Sequence, residues 1–226
     1  MLPERKPMQP KIRAVCFDMD GLLFNTEDLF DEVGIEMLAK RGKKLNPEVV
    51  RRMMGQQAEI ALQIFIDHYE LSDTVDDLKQ ETDEIFDRIL PDRLSLLPGA
   101  QELLDSLTQH GERPVALTTS SGAQAVSRIM DIINLREHFH FQLTAEDVQN
   151  SKPHPEIYCT AAERFDVAPD ELLVFEDSEN GCRSGVDAGA AVVAIPSKYS
   201  DIQNYEGSLF VADTLQDQRI QNLLFS

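Results

Sequence analysis

The segment VCFDMDGLLFNTE, residues 15–27, ends an apolar run on Asp18 and Asp20, two residues apart, and turns at once through Gly21. Two carboxylates this close repel each other and resist joint ionisation. A chain that keeps both has use for a cation or for a proton transfer beside them. Similar polar groups recur further on. Thr118, Thr119, Ser120 and Ser121 follow the apolar stretch RPVAL, Lys152 stands in SKPHPEIY, and Glu176 and Asp177 close LLVFED. Carboxylates, hydroxyls and one lysine, brought together, suit phosphoryl transfer. A carboxylate can attack phosphorus, a divalent metal can neutralise carboxylates and phosphate, and hydroxyls, backbone N–H groups and a lysine can hold the remaining oxygens. Hard oxygen ligands shared with a substrate phosphate favour Mg²⁺.

These groups converge only if the elements that carry them end along one edge. KIRAVCF reads as a short strand. From Thr26 to about Leu94 the periodicity is helical, in four segments punctuated by Gly42, Gly55 and Pro91. After LLPGA, strand candidates RPVALTT, FQLTAE, LLVFED and AVVAIP alternate with helical stretches Ala100–His110, Ala123–Asn134, Pro155–Phe165 and Asn180–Ala188. SLFVADTL is a candidate edge strand. The alternation predicts an α/β fold, a Rossmann-like parallel sheet with helices on both faces. The helical block is far longer than a crossover needs, and is expected to be an inserted cap over the C-terminal edge of the sheet, where such folds bind ligands. The division expected is a loose tail over 1–10, a core over 11–28 and 95–226, and a cap over 29–94.

Bulk properties narrow the partners. Of 226 residues, 42% are hydrophobic, enough for a substantial core, and 40 acidic against 21 basic residues leave a net charge of −19. That field disfavours nucleic acid and anionic membranes, and a phosphorylated substrate would need local cations. Cys16, Cys159 and Cys182 are sparse and unpaired in spacing, which fits reduced thiols in a cytoplasmic protein. No apolar run is long enough to span a membrane, and MLPERKPMQP lacks the apolar stretch of a signal peptide. Protein partners are not legible.

FDMDGLLFNTE, ALTTSS, SKPHPEIY and VFEDSENG, in this order and spacing, resemble the four motifs of the haloacid dehalogenase superfamily, over about residues 12 to 196. The helical insertion after the first motif is similar to the capped branch that includes β-phosphoglucomutases and pseudouridine-5′-phosphatase or sugar-phosphate phosphatases. The resemblance implies Asp18 as nucleophile and Asp20 as the acid that protonates the leaving oxygen and then activates water. It implies Mg²⁺ held by Asp18, the Asp20 backbone carbonyl and Asp177, with Glu176 behind them. Thr119, Ser120 and Lys152 would bind the phosphoryl group, and Gly21 would permit the turn that exposes backbone N–H groups. Substrate choice is expected near Phe24 and Asn25 at the hinge and Gly55 and Gln56 on the cap.

The expected function is a Mg²⁺-dependent phosphatase acting on a small phosphorylated metabolite, a sugar phosphate or a nucleoside monophosphate, with a phosphomutase on the same core as the alternative. A receiver module also uses aspartates, a hydroxyl and a lysine after strands, but it has neither the insertion nor the second acidic pair. A dehalogenase has no need of Asp20. A calcium loop fails at Leu23 and Leu29, where glycine and glutamate are required. Where the mutase pattern has a cap histidine and a cap arginine, ungapped matching finds Phe30 and Ala58. His154 is a weaker candidate for proton transfer, because Asp20 already fills that place.

Overall fold

The computed structural model describes residues 11–54, 56, 58–198, 200 and 203–225. The segment 1–10, expected to be a loose tail, lies outside them, as does Gly55. The chain enters the sheet at once through β1 (Ala14–Phe17). Four helices follow: α1 (Thr26–Lys40), α2 (Pro47–Met53), α3 (Ala58–Tyr69) and α4 (Val75–Arg93). The remainder alternates: α5 (Ala100–His110), β2 (Val115–Thr118), α6 (Ala123–Ile133), β3 (Phe141–Leu143), α7 (Glu156–Phe165), β4 (Leu172–Glu176), α8 (Glu179–Asp187), β5 (Ala191–Ala194), β6 (Phe210–Val211) and α9 (Gln218–Phe225).

All six strands are parallel, in the order β3-β2-β1-β4-β5-β6. The first strand is therefore central, and chain order reverses between β1 and β4, the place where open α/β sheets bind ligands. Phe17 lies beside Leu117 on one side and Phe175 on the other. This register brings the residues after each strand level with one another. β1, β2 and β4 are buried along their whole length, as central parallel strands must be when helices cover both faces. Side chains alternate across the sheet. Val15, Phe17, Leu117, Leu173 and Phe175 join one core cluster, while Ala14, Cys16, Ala116, Leu172 and Val174 join the other, together with Ile157, Tyr158 and Cys182. The rings of Phe17 and Phe175 stack at 4.9 Å between centroids, and each buried ring contributes about 2–3 kcal/mol.

The inserted helices share the first of these clusters with the sheet through Val33, Met37, Leu62, Phe65, Leu78, Ile85 and Leu90. A full capping box of Thr74 and Asp77 starts α4. Pro91, read from sequence as a break, instead lies within the last turn of α4. Its missing N–H removes one bond, to the Asp87 carbonyl, and buried Ile85, Phe86 and Leu90 pack the helix on through it. Leu94 N still donates to Leu90 O at 3.0 Å and holds the turn. The short helix α9 had no counterpart in the sequence reading. It is seated by buried Ile220 and Leu224, with Leu223 and Phe225 packed against the core; at eight residues it is shorter than the window over which a helical period stands out.

The insertion leaves and re-enters the core through a clasp. Asn25 Nδ2 donates to Arg93 O (3.1 Å), and Asn25 Oδ1 accepts from Ser95 N (2.7 Å). Leu97 N donates to Leu23 O (2.8 Å). Ion pairs reach from insertion to core on either side, Asp28 and Asp31 of α1 to Lys198, and Asp87 of α4 to Arg128 of α6. Asn25→Ala removes both amide bonds of the clasp and should cost about 1–2 kcal/mol. For a chain of this length that is a fall of roughly 3–6 °C in the thermal midpoint. A midpoint equal to wild type in a calorimetric scan would show that the clasp adds nothing.

Candidate active site

Asp18 is the first residue past β1, and its N–H still donates to Phe175 O at 3.0 Å. The sheet therefore fixes it beside Glu176, the last residue of β4. The Lys152 ammonium lies between the two, with Nζ donating to Asp18 Oδ1 at 2.7 Å, to Glu176 Oε1 at 2.6 Å and to the Thr118 carbonyl at 3.0 Å. Lys152, Asp18 and Glu176 are all buried. A second donor meets Glu176, the Tyr158 hydroxyl at 2.5 Å from Oε1. A Cβ at Gly181 would stand 2.0 Å from this carboxylate, so only glycine lets α8 start so close to it.

The chain then turns through Gly21, with φ +76, where a Cβ would meet Asp177 Oδ2 at 2.6 Å and Glu27 Cδ at 2.9 Å. No other residue fits that turn. It returns Asp20 to the end of β2. There Asp20 Oδ2 accepts from Ser121 Oγ at 2.6 Å and from Thr119 Oγ1 at 3.1 Å. Asp177 is held by its backbone: Ser200 Oγ and the Tyr205 hydroxyl donate to its carbonyl at 2.8 and 2.9 Å. That leaves its carboxylate facing the turn.

The electrostatics are those of crowded, buried acids. Burial first, then the charges of Asp18, Glu27 and Glu176, push the Asp177 carboxyl well above its ordinary range. Burial does the same to Asp18, reinforced by Glu176 and Asp20 and opposed by Lys152. Burial alone would lower the Lys152 pKa, but Asp18 and Glu176 outweigh it and raise the group well above the ordinary lysine value. Burial lifts Glu27 to about 7, partly offset by a hydrogen bond with Ser197. The Lys152 ammonium pairs with two of these carboxyls, Asp18 and Glu176, so the set as a whole is short of positive charge. Ligand atoms of Asp18, Glu176 and Asp177 lie within 4.8 Å of one another. Buried oxygen donors in that number, deficient in positive charge, fit a divalent cation.

The residues singled out from sequence fall into two groups. Asp18, Asp20, Gly21, Thr119, Lys152, Glu176 and Asp177 meet at the C-terminal edge of β1, β2 and β4. Ser120 is exposed beside them, and it is its neighbour Ser121 that touches Asp20. Phe24 and Asn25 stand at the hinge, Asn25 lining the cavity beside Gly21 and Glu27. Phe24 is fully buried, pairing with Leu96 across the hinge, and the Asn25 amide is engaged by the clasp. Gln56 is exposed on the turn after α2, and Gly55 lies outside the described residues. His154 is exposed; its Nδ1 accepts from Glu156 N at 3.3 Å at the start of α7, an end-of-helix contact. Glu27 and Tyr158 escaped the sequence reading. Glu27 has the look of an ordinary acid in a helix's first turn, and Tyr158 of a core aromatic.

Comparison with known proteins agrees with this geometry. A family model described as haloacid dehalogenase-like hydrolase matches residues 15–195. The chain is 31% identical to a phosphorylated carbohydrates phosphatase of Thermotoga maritima, over 79% of its own length and 82% of the relative's. It is 35% identical to a probable pseudouridine-5′-phosphatase of Drosophila melanogaster, with 82% of each covered. Among solved structures, CbbY from Rhodobacter sphaeroides in complex with phosphate superimposes with a TM-score of 0.78 at 25% identity, over 90% of this chain and 95% of that one. A provisionally assigned β-phosphoglucomutase of Thermotoga maritima gives 0.76 at 27%, over 94% and 98%. The helical insertion after β1, the parallel sheet and the acids gathered at its edge thus have one explanation: the chain belongs to the haloacid dehalogenase-like hydrolase family, in its capped branch.

Proposed function

We propose that the protein is a Mg²⁺-dependent phosphatase that hydrolyses a small phosphorylated metabolite, a sugar phosphate or a nucleoside monophosphate, through a phosphoryl group carried on Asp18. The observation that carries this reading is the division of labour between the two aspartates. Asp18 Oδ1 is paired with an ammonium, whereas Asp20 has one oxygen fixed by two hydroxyls. A nucleophile needs a compensated charge near phosphorus. A proton shuttle needs a fixed orientation with its other oxygen available.

In this scheme Asp18 attacks phosphorus while Asp20 gives its proton to the departing oxygen. Asp20, now ionised, takes a proton from water, which attacks the phosphoryl-aspartate and returns Asp18. Lys152 offsets charge on Asp18 and on the phosphoryl oxygens. Thr119, whose one hydroxyl proton goes to Asp20 in this structure, would turn it to those oxygens alongside Ser120 and the backbone N–H groups after Gly21, leaving Ser121 to orient Asp20. Asp18, the Asp20 carbonyl and Asp177 would hold Mg²⁺, which supplies charge neutralisation at the phosphate. The relatives named for phosphatase activity support this reading.

The phosphomutase alternative needs a second phosphate clamp on the cap. Phe30 stacks on Phe86 at 4.8 Å and Ala58 opens α3, so neither supplies charge where that pattern has it. Of the cap positions expected to govern substrate choice, Gln56 presents an exposed polar side chain.

The expected outcomes are specific. Asp18→Asn should lower turnover by at least about 10³-fold with the fold intact by circular dichroism; hydrolysis at the wild-type rate would remove Asp18 from its role. A chelator should abolish phosphate release and lower the thermal midpoint, and Mg²⁺ should restore both; full activity in excess chelator contradicts the metal assignment. Lys152→Ala should cost about 2–4 kcal/mol of transition-state stabilisation, read from kcat/KM. A loss under about tenfold would make Lys152 a structural partner only. With β-glucose 1-phosphate and a trace of the bisphosphate, free phosphate should appear without glucose 6-phosphate; efficient isomerisation with little release would favour the mutase.

A further inference from the structure

All three hydrogens of the Lys152 ammonium are engaged, and two of its acceptors are competing carboxylates, Asp18 and Glu176. Glu176 has no solvent exposure at all. A carboxylate so enclosed, facing one ammonium alone, would draw that cation strongly to itself. It is not alone. The Tyr158 hydroxyl donates to the same oxygen, Oε1, at 2.5 Å, while Ser178 Oγ reaches Oε2 at 3.4 Å. Tyr158 is fully buried in the first turn of α7. Its ring lies 5.3 Å from Lys152 Nζ. Its apolar neighbours, Ile157, Ala161 and Ala162 among them, would accept phenylalanine equally well. The hydroxyl is therefore explained by Glu176 and by nothing in the packing.

We propose that Tyr158 is a positioning residue for the reaction: by sharing Glu176 Oε1 with Lys152, its hydroxyl sets how the ammonium is divided between Glu176 and Asp18. The inference rests on the roles given to Lys152 and Asp18 above. Two donors on one oxygen each draw on its negative charge. Remove the hydroxyl, and Glu176 tightens on Lys152. The ammonium then withdraws from Asp18 and from the phosphoryl oxygens beyond it. The effect falls on the transition state, where charge on those oxygens is being rearranged, and leaves initial binding nearly unchanged.

The test is Tyr158→Phe in the full chain, assayed with p-nitrophenyl phosphate and Mg²⁺. The expected result is a fall in kcat of about fivefold to twentyfold, with KM and inhibition by inorganic phosphate within about twofold of wild type. A kcat within about twofold of wild type overturns the inference, and so does a fall matched by an equal loss of folded protein. A double-mutant cycle separates positioning from packing. On the Glu176→Gln background there is no carboxylate to share, so Tyr158→Phe should have little further effect, and an equal loss on both backgrounds overturns the route through Glu176. A third readout needs no turnover. The ammonium nitrogen resonance of Lys152, identified by its loss in Lys152→Arg, should shift in Tyr158→Phe. An unmoved resonance overturns the inference while leaving the phosphatase reading intact. A resonance that shifts in Tyr158→Phe, while the wild-type protein releases no phosphate, defeats the phosphatase reading alone.

Discussion

One buried ammonium set against a group of buried carboxylates is the interaction on which the rest of this molecule depends. Lys152 bonds to Asp18 and Glu176 with almost no solvent around it. Charges in such a place persist only when paired and fully hydrogen-bonded. The sheet provides the pairing by register: Phe17 beside Phe175 puts the next residues, Asp18 and Glu176, on neighbouring strands at the point where chain order reverses. The lysine then arrives from the loop ahead of α7, whose own first turn brings Tyr158 to the same carboxylate. Removing any member leaves another charge buried without compensation, so the strands, the loop and α7 constrain one another.

The inserted helices are coupled to this group through a single short turn. Between Asp20 and Thr26 the chain passes through Gly21, where Glu27 and Asp177 crowd the space a side chain would need. Glu27 is already the second residue of α1. The start of α1 thus sets a carboxyl against Asp177, and Lys198, lining the same cavity as Gly21 and Glu27, holds Asp28 and Asp31 on the same helix. The position of the cap and the charge balance of the site are linked by geometry, with the Asn25 clasp as the pivot.

Much of this was legible because the motifs coincide with strand ends. In a parallel sheet, apolar runs that stop on Asp18, Thr118 and Glu176 must stop on the same edge, so sequence order alone brings the groups together. Helix existence was equally clear, since the stretches forming α5 and α7 carry a full apolar stripe. What escaped depends on three-dimensional neighbours. Pro91 reads as a break, yet α4 continues through it because its buried face, Ile85, Phe86 and Leu90, is packed on the core. Glu27 and Tyr158 look ordinary until Gly21 and Glu176 are placed beside them. Phe24 and Asn25 are readable as hinge residues, but that they close the hinge on Leu96, Arg93 and Ser95 depends on partners about seventy residues on. The choice between Ser120 and Ser121 at Asp20 depends on where the loop after β2 turns, and two adjacent serines give no sign of that.

The adjacent acids Glu176 and Asp177 show why two carboxylates in succession serve better than one. Successive residues leaving a strand point to opposite sides. Glu176 turns toward α7 and α8, where Lys152, Tyr158 and Gly181 enclose it; Asp177 turns toward Gly21 and Glu27, where further carboxyl charge crowds it. Asp18, on the neighbouring strand, reaches Lys152 with one oxygen and lies within ligand distance of the Asp177 side with its carboxylate. Positive charge is thus demanded on both flanks of Asp18. The flank of Glu176 already has its ammonium. On the flank of Asp177 like charges raise the carboxyl, and a divalent cation would satisfy it without adding another side chain to a crowded turn. A second lysine there would bring a long flexible chain through the space that Gly21 keeps clear. An ion needs only the oxygens already present.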